Sequence, residues 1–345
     1  MTRIFRPLLA VGLGVLTLGV AMLPAAVAPA DEVNVYTSRH YDTDDLLYDR
    51  FTRQTGIEVN IIEANTDDLL ARLQREGELS PGDVFIAVDA GRLHKAVEAG
   101  VLQPVSSSAI ESAIPAHLRH PDGLWFGYSL RARVIYLSHD VPEDYVTTYA
   151  QLADPKLNDG LLIRSSSNIY NQSLVASRLS HLGESQTRAW ARGIVDNLAR
   201  TPQGGDTDQI RALAAGEGNV AVANHYYFAR LLASKKAEDR EAASRVRLVF
   251  PDQGGRGTHV NVSGAGVIKG APNRENAVKL LEFLATPEAQ ELWAVANFEY
   301  PVVPGVEPPA VMKPFGDFVQ DPINAAELGH HNREAVRVMD RAGWR

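Results

Sequence analysis

Two spacings of apolar positions take turns along this chain. Val33-Asn34-Val35-Tyr36 alternates with period two and predicts a strand. Between Asp44 and Thr55, Leu47 and Phe51 fall four apart and Gly56 follows, which predicts a helix with its stop. The same pair of elements returns twice. A strand is expected over 57–62, followed by a helix capped at Thr66-Asp67-Asp68, carrying Leu69, Leu70 and Leu73 and stopped by Gly77. Asp83-Val84-Phe85-Ile86-Ala87-Val88 reads as a buried strand, and Asp89-Ala90-Gly91 opens a helix that Gly100 closes. Strand and helix in alternation predict an α/β fold with a parallel sheet and helices on both faces.

The stretch from Trp125 to Ser138 breaks this rhythm, being long and β-rich, and it reads as a strand crossing from one lobe to another. A second α/β unit follows. Leu161-Leu162-Ile163 is a strand, Arg164-Ser165-Ser166-Ser167 a loop, and a helix runs on from Asn168. A helix at 210–215 precedes the buried run Val220-Ala221-Val222-Ala223, and Asn224 is a good cap for the helix that contains Phe228 and Leu231. After the flexible Gly254-Gly255-Arg256-Gly257, the alternation from His259 to Gly264 predicts a second crossing strand, continued by 264–268 into the first lobe. Helices are expected over 275–284 and 287–296, then an irregular proline-rich segment over 301–314. Two crossings define two lobes with a cleft between them, 31–128 with 263–305 and 129–262 with 306–345.

The first thirty residues read as an export signal: a basic start at Arg3 and Arg6, an apolar stretch from Leu8 to Leu23, and small residues at Ala28-Pro29-Ala30 for cleavage after Ala30. The chain has no cysteine, so neither a disulfide nor a lipid-modified cysteine is available. These features predict a soluble exported protein, located in the periplasm and not embedded in the membrane. Removing Arg3 and Arg6 takes the formal charge from −8 to −10. An acidic surface argues against nucleic acid as a partner. No Gly-x-Ser-x-Gly elbow, phosphate loop or zinc-helix motif points to an enzyme, and no catalytic residue is expected.

Four tyrosines share one setting. Tyr41 lies in the loop after the first strand, Tyr170 in the first turn after strand 161–163, and Tyr226 and Tyr227 where strand 220–223 hands over to a helix. Each is at the C-terminal end of a strand beside a helix N-terminus, where open α/β sheets bind ligands. Tyr41 belongs to the first lobe and the others to the second, so cleft closure brings four phenols together. A free phenol has a pKa of about 10 and is a poor base at neutral pH. A hard trivalent cation displaces the proton and holds the phenolate directly, and Fe(III) is the abundant cation of that kind. Four phenolates on Fe(III) leave one net negative charge, for which Arg131, Arg133 and Arg230 are candidate counter-charges, while His40 could add a nitrogen ligand. Taken singly, Tyr170 and the Tyr226-Tyr227 pair also read as core residues, Tyr41 as a surface-loop aromatic, His40 as a solvated loop histidine, Arg133 as a structural charge, Asp89 as a helix cap and His330-His331 as a solvated helix face. Ser165-Ser166-Ser167 at a helix N-terminus offers a competing oxyanion cradle.

Arg39-His40-Tyr41-Asp42-Thr43-Asp44, Asp83-Val84-Phe85 with Asp89-Ala90-Gly91, Arg131-Ala132-Arg133-Val134-Ile135, Asn168-Ile169-Tyr170-Asn171 and Asn224-His225-Tyr226-Tyr227 together resemble the periplasmic ferric-ion-binding proteins of iron ABC importers. The resemblance covers nearly the whole chain after residue 30, with the five motifs in the family's order. It implies the two-lobed periplasmic-binding-protein fold of the second topological type, with the crossing strands as hinge. It also implies tyrosine ligands at Tyr41, Tyr170, Tyr226 and Tyr227, an optional ligand at His40, and Arg131 and Arg230 behind them. One branch of that family uses a glutamate in the strand near position 88 with a bound anion. Here the neighbourhood is Ala87-Val88-Asp89, so the tyrosine-rich branch is the closer match. The function implied is a monomeric carrier that captures Fe(III) and passes it to an inner-membrane permease and its ATPase. A carrier of an oxyanion or other small solute is the alternative.

Overall fold

The computed structural model describes residues 31–39 and 41–345; the expected export signal and His40 lie outside them. In chain order the elements are β1 (Glu32–Thr37), α1 (Asp45–Thr55), β2 (Glu58–Glu63), α2 (Thr66–Glu76), β3 (Val84–Val88), α3 (Ala90–Glu98), β4 (Leu102–Gln103), α4 (Ser108–Ala113), β5 (Phe126–Ser138), β6 (Leu161–Leu162), α5 (Ile169–Asp196), α6 (Asp206–Ala214), β7 (Val220–Asn224), α7 (His225–Ala233), α8 (Ala237–Ser244), β8 (Val246–Val249), β9 (Val260–Ile268), α9 (Arg274–Leu284), α10 (Pro287–Asn297), α11 (Ala325–His330) and α12 (Asn332–Ala342).

The strands lie in the order β2-β1-β3-β9-β5-β7-β6, with β4 beside β9 and β8 beside β5. The expected crossing strands are β5 and β9. Phe126 to Ala132 of β5 pairs with β9, and from Arg133 the same strand pairs with β7. In β9, Val260 to Ala265 pairs with β5 on one side, and from Ser263 onward the strand also pairs with β3 on the other. Both strands are buried along their whole length and carry polar as well as apolar side chains, among them Arg131, Arg133 and Asn261. Close strand approach requires glycine here: a Cβ at Gly266 would stand 2.2 Å from the carbonyl oxygen of Leu124.

The expected parallel sheet is mixed instead. β1–β2, β1–β3 and β6–β7 are parallel, and every pair that includes β5 or β9 is antiparallel. A strand arriving from the other half of the molecule needs no crossover helix beside its neighbour, so nothing imposes the parallel sense on it. Two caps also move. The N-cap of α2 is Asn65, whose side chain accepts from the Asp68 N–H. Asn224 occupies the N-cap position of α7 but its side chain does not cap the helix. The long α5 consists of two helical pieces joined at Gly183, which has φ 75°. Its first piece, with α12 and the Trp190–Trp344 pair, packs under β6 and β7. α11 touches both α3 and α5. Among the described residues no helix is long and apolar enough to cross a membrane.

Candidate metal centre

The β7–α7 junction is fastened from below. Asp206 accepts from the Asn224 N–H at 2.8 Å and from Arg133 Nη1 at 2.7 Å, and Arg133 Nη1 also donates to Asn224 Oδ1 at 3.1 Å. The expected capping oxygen is therefore used by an arginine. Next to it, His225 Nδ1 accepts the Ala132 N–H at 3.1 Å, and its Nε2 lies 3.0 Å from the Phe298 carbonyl. Burial pushes the His225 pKa down to about 4, so the ring is neutral and Nε2 carries the proton donated to Phe298. His225 is thus a clamp that binds the start of α7 to β5.

The clamp sets Tyr226 and Tyr227 in the first turn of α7. Their rings lie 4.3 Å apart at 33°. Tyr226 is fully buried, and its hydroxyl donates to Tyr170 Oη at 3.3 Å in the first turn of α5. Arg230, one turn on, brings its guanidinium to 5.1 Å from the Tyr41 ring centre, 5.1 Å from that of Tyr226 and 5.7 Å from that of Tyr227. The structure therefore gathers all four expected tyrosines around two helix N-termini.

The two arginines of β5 separate by their partners. Arg133 lies 6.0 Å from the Tyr170 ring centre, but both its terminal nitrogens go to Asp206, Asn224 and Asn171, leaving only Nε without a partner, which makes it a structural charge. Arg131 is 5.4 Å from the same ring, donates Nη2 to the Val262 carbonyl at 2.7 Å, and keeps Nε and Nη1 buried without a partner. Burial works against its charge, but Tyr170, Tyr226, Glu299 and Asp89 more than offset that and hold it protonated. Buried donors without an acceptor are costly, which marks Arg131 as a charge with unused donors beside the tyrosines.

The phenols themselves resist ionisation. Burial raises Tyr226 well above 10, and Tyr170, Tyr227 and Tyr41 add to the effect. Burial likewise raises Tyr227, reinforced by Tyr170 and Asp206, and raises Tyr41, reinforced by Glu299 and opposed by Arg39 and Arg230. These groups remain neutral at physiological pH until a cation takes the place of the proton. Among the described residues no cluster of three or more His, Asp or Glu is arranged to hold a metal.

Asp89 is the expected helix cap: its Oδ1 accepts from the Gly91 N–H at 2.9 Å and from Ser173 Oγ at 2.7 Å. Ser165 and Ser167 bond to each other at 2.7 Å, and the carbonyls of Ser165 and Ser166 accept from Asn171 and Gln172. The serine loop is thus closed on itself. His330 is exposed, with its ring 4.6 Å from that of His94. Three residues beside the site were not expected there. Arg39 is 3% exposed and pairs with Asp44 at 2.6 Å and with Glu299 at 3.2 Å. Arg39 stands two residues before Tyr41 in the Arg39-His40-Tyr41 motif, which was a usable signal for the arginine. Glu299 follows a helix end and carries no pattern of its own.

The fold and the cleft define a class, the two-lobed solute-binding proteins of bacterial import systems. A family model described as bacterial extracellular solute-binding protein matches residues 80–315, and the chain belongs to that family. It is 50% identical over 349 residues to Iron uptake protein A2 of Synechocystis sp., covering 99% of each chain. A solved structure of a Trichodesmium protein, described as in complex with iron and citrate ligands, is 53% identical and superposes with a TM-score of 0.89, covering 91% of this chain and all of that one. Mannheimia haemolytica ferric iron-binding protein A, solved in an open conformation, is 39% identical with a TM-score of 0.85, covering 91% of this chain and 99% of that one.

Proposed function

We propose that this chain is a periplasmic carrier that captures Fe(III) in the cleft through the phenolates of Tyr41, Tyr170, Tyr226 and Tyr227 and delivers it as a monomer to an inner-membrane permease driven by an ATPase. The observation that carries this reading is the convergence itself: Tyr226 and Tyr170 share a hydrogen bond, and Arg230 stands over three of the four rings. Iron replaces the phenolic protons. The N-termini of α5 and α7 then favour the anions, by about 0.3–1 kcal/mol each, and Arg131 and Arg230 offset the remaining negative charge. His40 or a small external ligand completes the shell. The lobes are 31–128 with 263–305 and 129–262 with 306–345, and these boundaries fall at Ser129 and Ser263, which are register partners across the crossing strands. An oxyanion carrier needs the hydroxyls of Ser165 and Ser167, which are engaged with each other.

A visible spectrum tests the reading. Phenolate-to-Fe(III) charge transfer gives a coloured complex on adding one equivalent of chelated Fe(III) to the metal-free protein. A protein that stays colourless overturns it.

A further inference from the structure

The first lobe contributes Tyr41, and beneath its ring lies a set of charges that the metal itself does not require. The Arg39 guanidinium is stacked between two rings, 4.6 Å from the centre of Tyr41 and 4.5 Å from that of Trp293. On one edge Asp44 takes it bidentately, Nε at 2.6 Å and Nη2 at 3.3 Å. On the other, Nη1 reaches both oxygens of Glu299 at 3.2 Å and Ser263 Oγ at 2.8 Å. Glu299 is wholly buried and also accepts from Ser129 Oγ and from Trp293 Nε1. Asp44 is tied in turn to Asn297 Nδ2 at 3.0 Å. Ser129 lies on β5, Ser263 on β9, and Glu299 precedes Tyr300, which pairs with Leu130. The guanidinium under Tyr41 is therefore tied to β9 through Ser263, and through Glu299 to β5 and to the segment after α10.

We propose that Arg39, held by Asp44, Glu299 and Ser263, is a positioning residue for Tyr41, fixing the plane of its ring relative to the hinge strands rather than to its own loop. A planar guanidinium with its donors committed on two edges presents a rigid face to an aromatic ring. A ligand side chain set on such a support reaches the metal in one geometry, and loosening the support costs affinity although no ligand is removed. The serines make the link to the hinge. A loop tyrosine free of this network moves with its loop, whereas Tyr41 follows the strands about which the lobes turn.

This inference rests on the Fe(III) reading above, and a double-mutant cycle separates the two. Fe(III) affinity, from competition with a chelator, and the position of the visible band are measured for Arg39→Lys, Glu299→Gln and Ser263→Ala, each alone and combined with Tyr41→Phe. Lysine keeps the charge but not the plane. Arg39→Lys is expected to weaken binding roughly tenfold and to shift the band, Ser263→Ala to weaken it about threefold, and neither to weaken it further once the Tyr41 oxygen is gone. Equal losses in both backgrounds, or no loss in either, overturn the positioning role. A wild-type protein without a coloured complex overturns the Fe(III) reading instead. Ser263→Ala leaves both ion pairs intact, so it decides the question even if removing a buried charge prevents folding.

Discussion

Tyr226 and Tyr227 are adjacent in the chain, yet the first turn of a helix points them about 100° apart. Their rings still lie 4.3 Å from each other, because both lean toward the space that Tyr170 and Arg230 border. Replacing either by phenylalanine keeps the ring and removes one oxygen. Tyr226→Phe and Tyr227→Phe are each expected to lower Fe(III) affinity by more than ~100-fold, beyond what loss of a supporting residue costs, with an unchanged circular dichroism spectrum. Unchanged affinity in both variants removes the central assignment. Acid should act on the same bonds. Burial raises the pKa of Tyr41, Tyr226 and Tyr227, so each re-protonates readily once released. Iron affinity is therefore expected to fall as pH falls, by as much as about tenfold per unit for each proton taken up. A chelator competition that gives the same constant at pH 7.5 and 5.5 rules out phenolate ligation. At this scale the sequence was informative for residues in local motifs, and the four tyrosines sit as their strand-end positions predict. It was silent on Glu299, because a buried carboxylate far along the chain is recognised only by partners the fold brings to it, here Arg39, Ser129 and Trp293.

Among the elements, the β3–α3 junction carries a backbone feature of its own. Asp89 has φ 83°, a region few residues other than glycine adopt, and it is wholly buried. Its carboxylate caps α3, takes the Ser173 hydroxyl from α5 and takes Asn261 Nδ2 at 2.9 Å from β9. Asp89→Ala loses a cap and leaves two buried donors without acceptors, an expected cost of about 3 kcal/mol. Asp89→Asn, which keeps an acceptor oxygen for Gly91, is expected to cost less. Urea midpoints of the metal-free variants measure this, and equal midpoints for wild type and Asp89→Ala refute it. Element starts and stops were legible where capping chemistry is local, as at Gly56, Gly77 and Asp89. The sense of the strands was not, because β5 and β9 pair with partners set by long-range topology. In α12 the apolar positions Ala335, Val338, Met339 and Ala342 fall at helical spacing among charges, a signal the alternation of strand and helix further up the chain did not draw on.

Two properties belong to the molecule as a whole. The first is stability against acid, to which His259 contributes. It is 2% exposed, and burial, assisted by Arg133 and opposed by Asp321, pushes its pKa down to about 4. The folded ring is neutral, whereas the unfolded one titrates near its usual value of about 6.5. The stability from this site is therefore fully present above about pH 6.5 and is lost as pH falls toward about 4, some 2 kcal/mol of it by pH 5. Comparing urea midpoints of metal-free protein at pH 7 and pH 5, the drop should be smaller in His259→Phe than in wild type. Equal drops assign the effect elsewhere.

The second is closure of the lobes. With the lobe boundaries proposed above, Tyr41 belongs to the first lobe and Tyr170, Tyr226, Tyr227 and Arg230 to the second, and Arg230 stands over Tyr41 at 5.1 Å. Without metal this meeting gains the stacking of Arg230 over Tyr41, while burial opposes ionisation of the phenols. Fe(III) adds bonds that exist only when both lobes contribute. A ligand shifts a conformational equilibrium by its differential affinity for the two states and by nothing else. Iron is thus expected to favour the closed form, with β5 and β9 absorbing the rotation near Arg133, where β5 passes from β9 to β7, and near Ser263, where β9 takes up β3. Tyr41→Phe retains the three ligands of the second lobe, so it should bind more weakly and close less completely. Small-angle scattering with and without Fe(III) measures this as a smaller radius of gyration for the iron-loaded wild type and a lesser change for Tyr41→Phe. An identical radius in the two states of the wild type means that the ligands do not draw the lobes together.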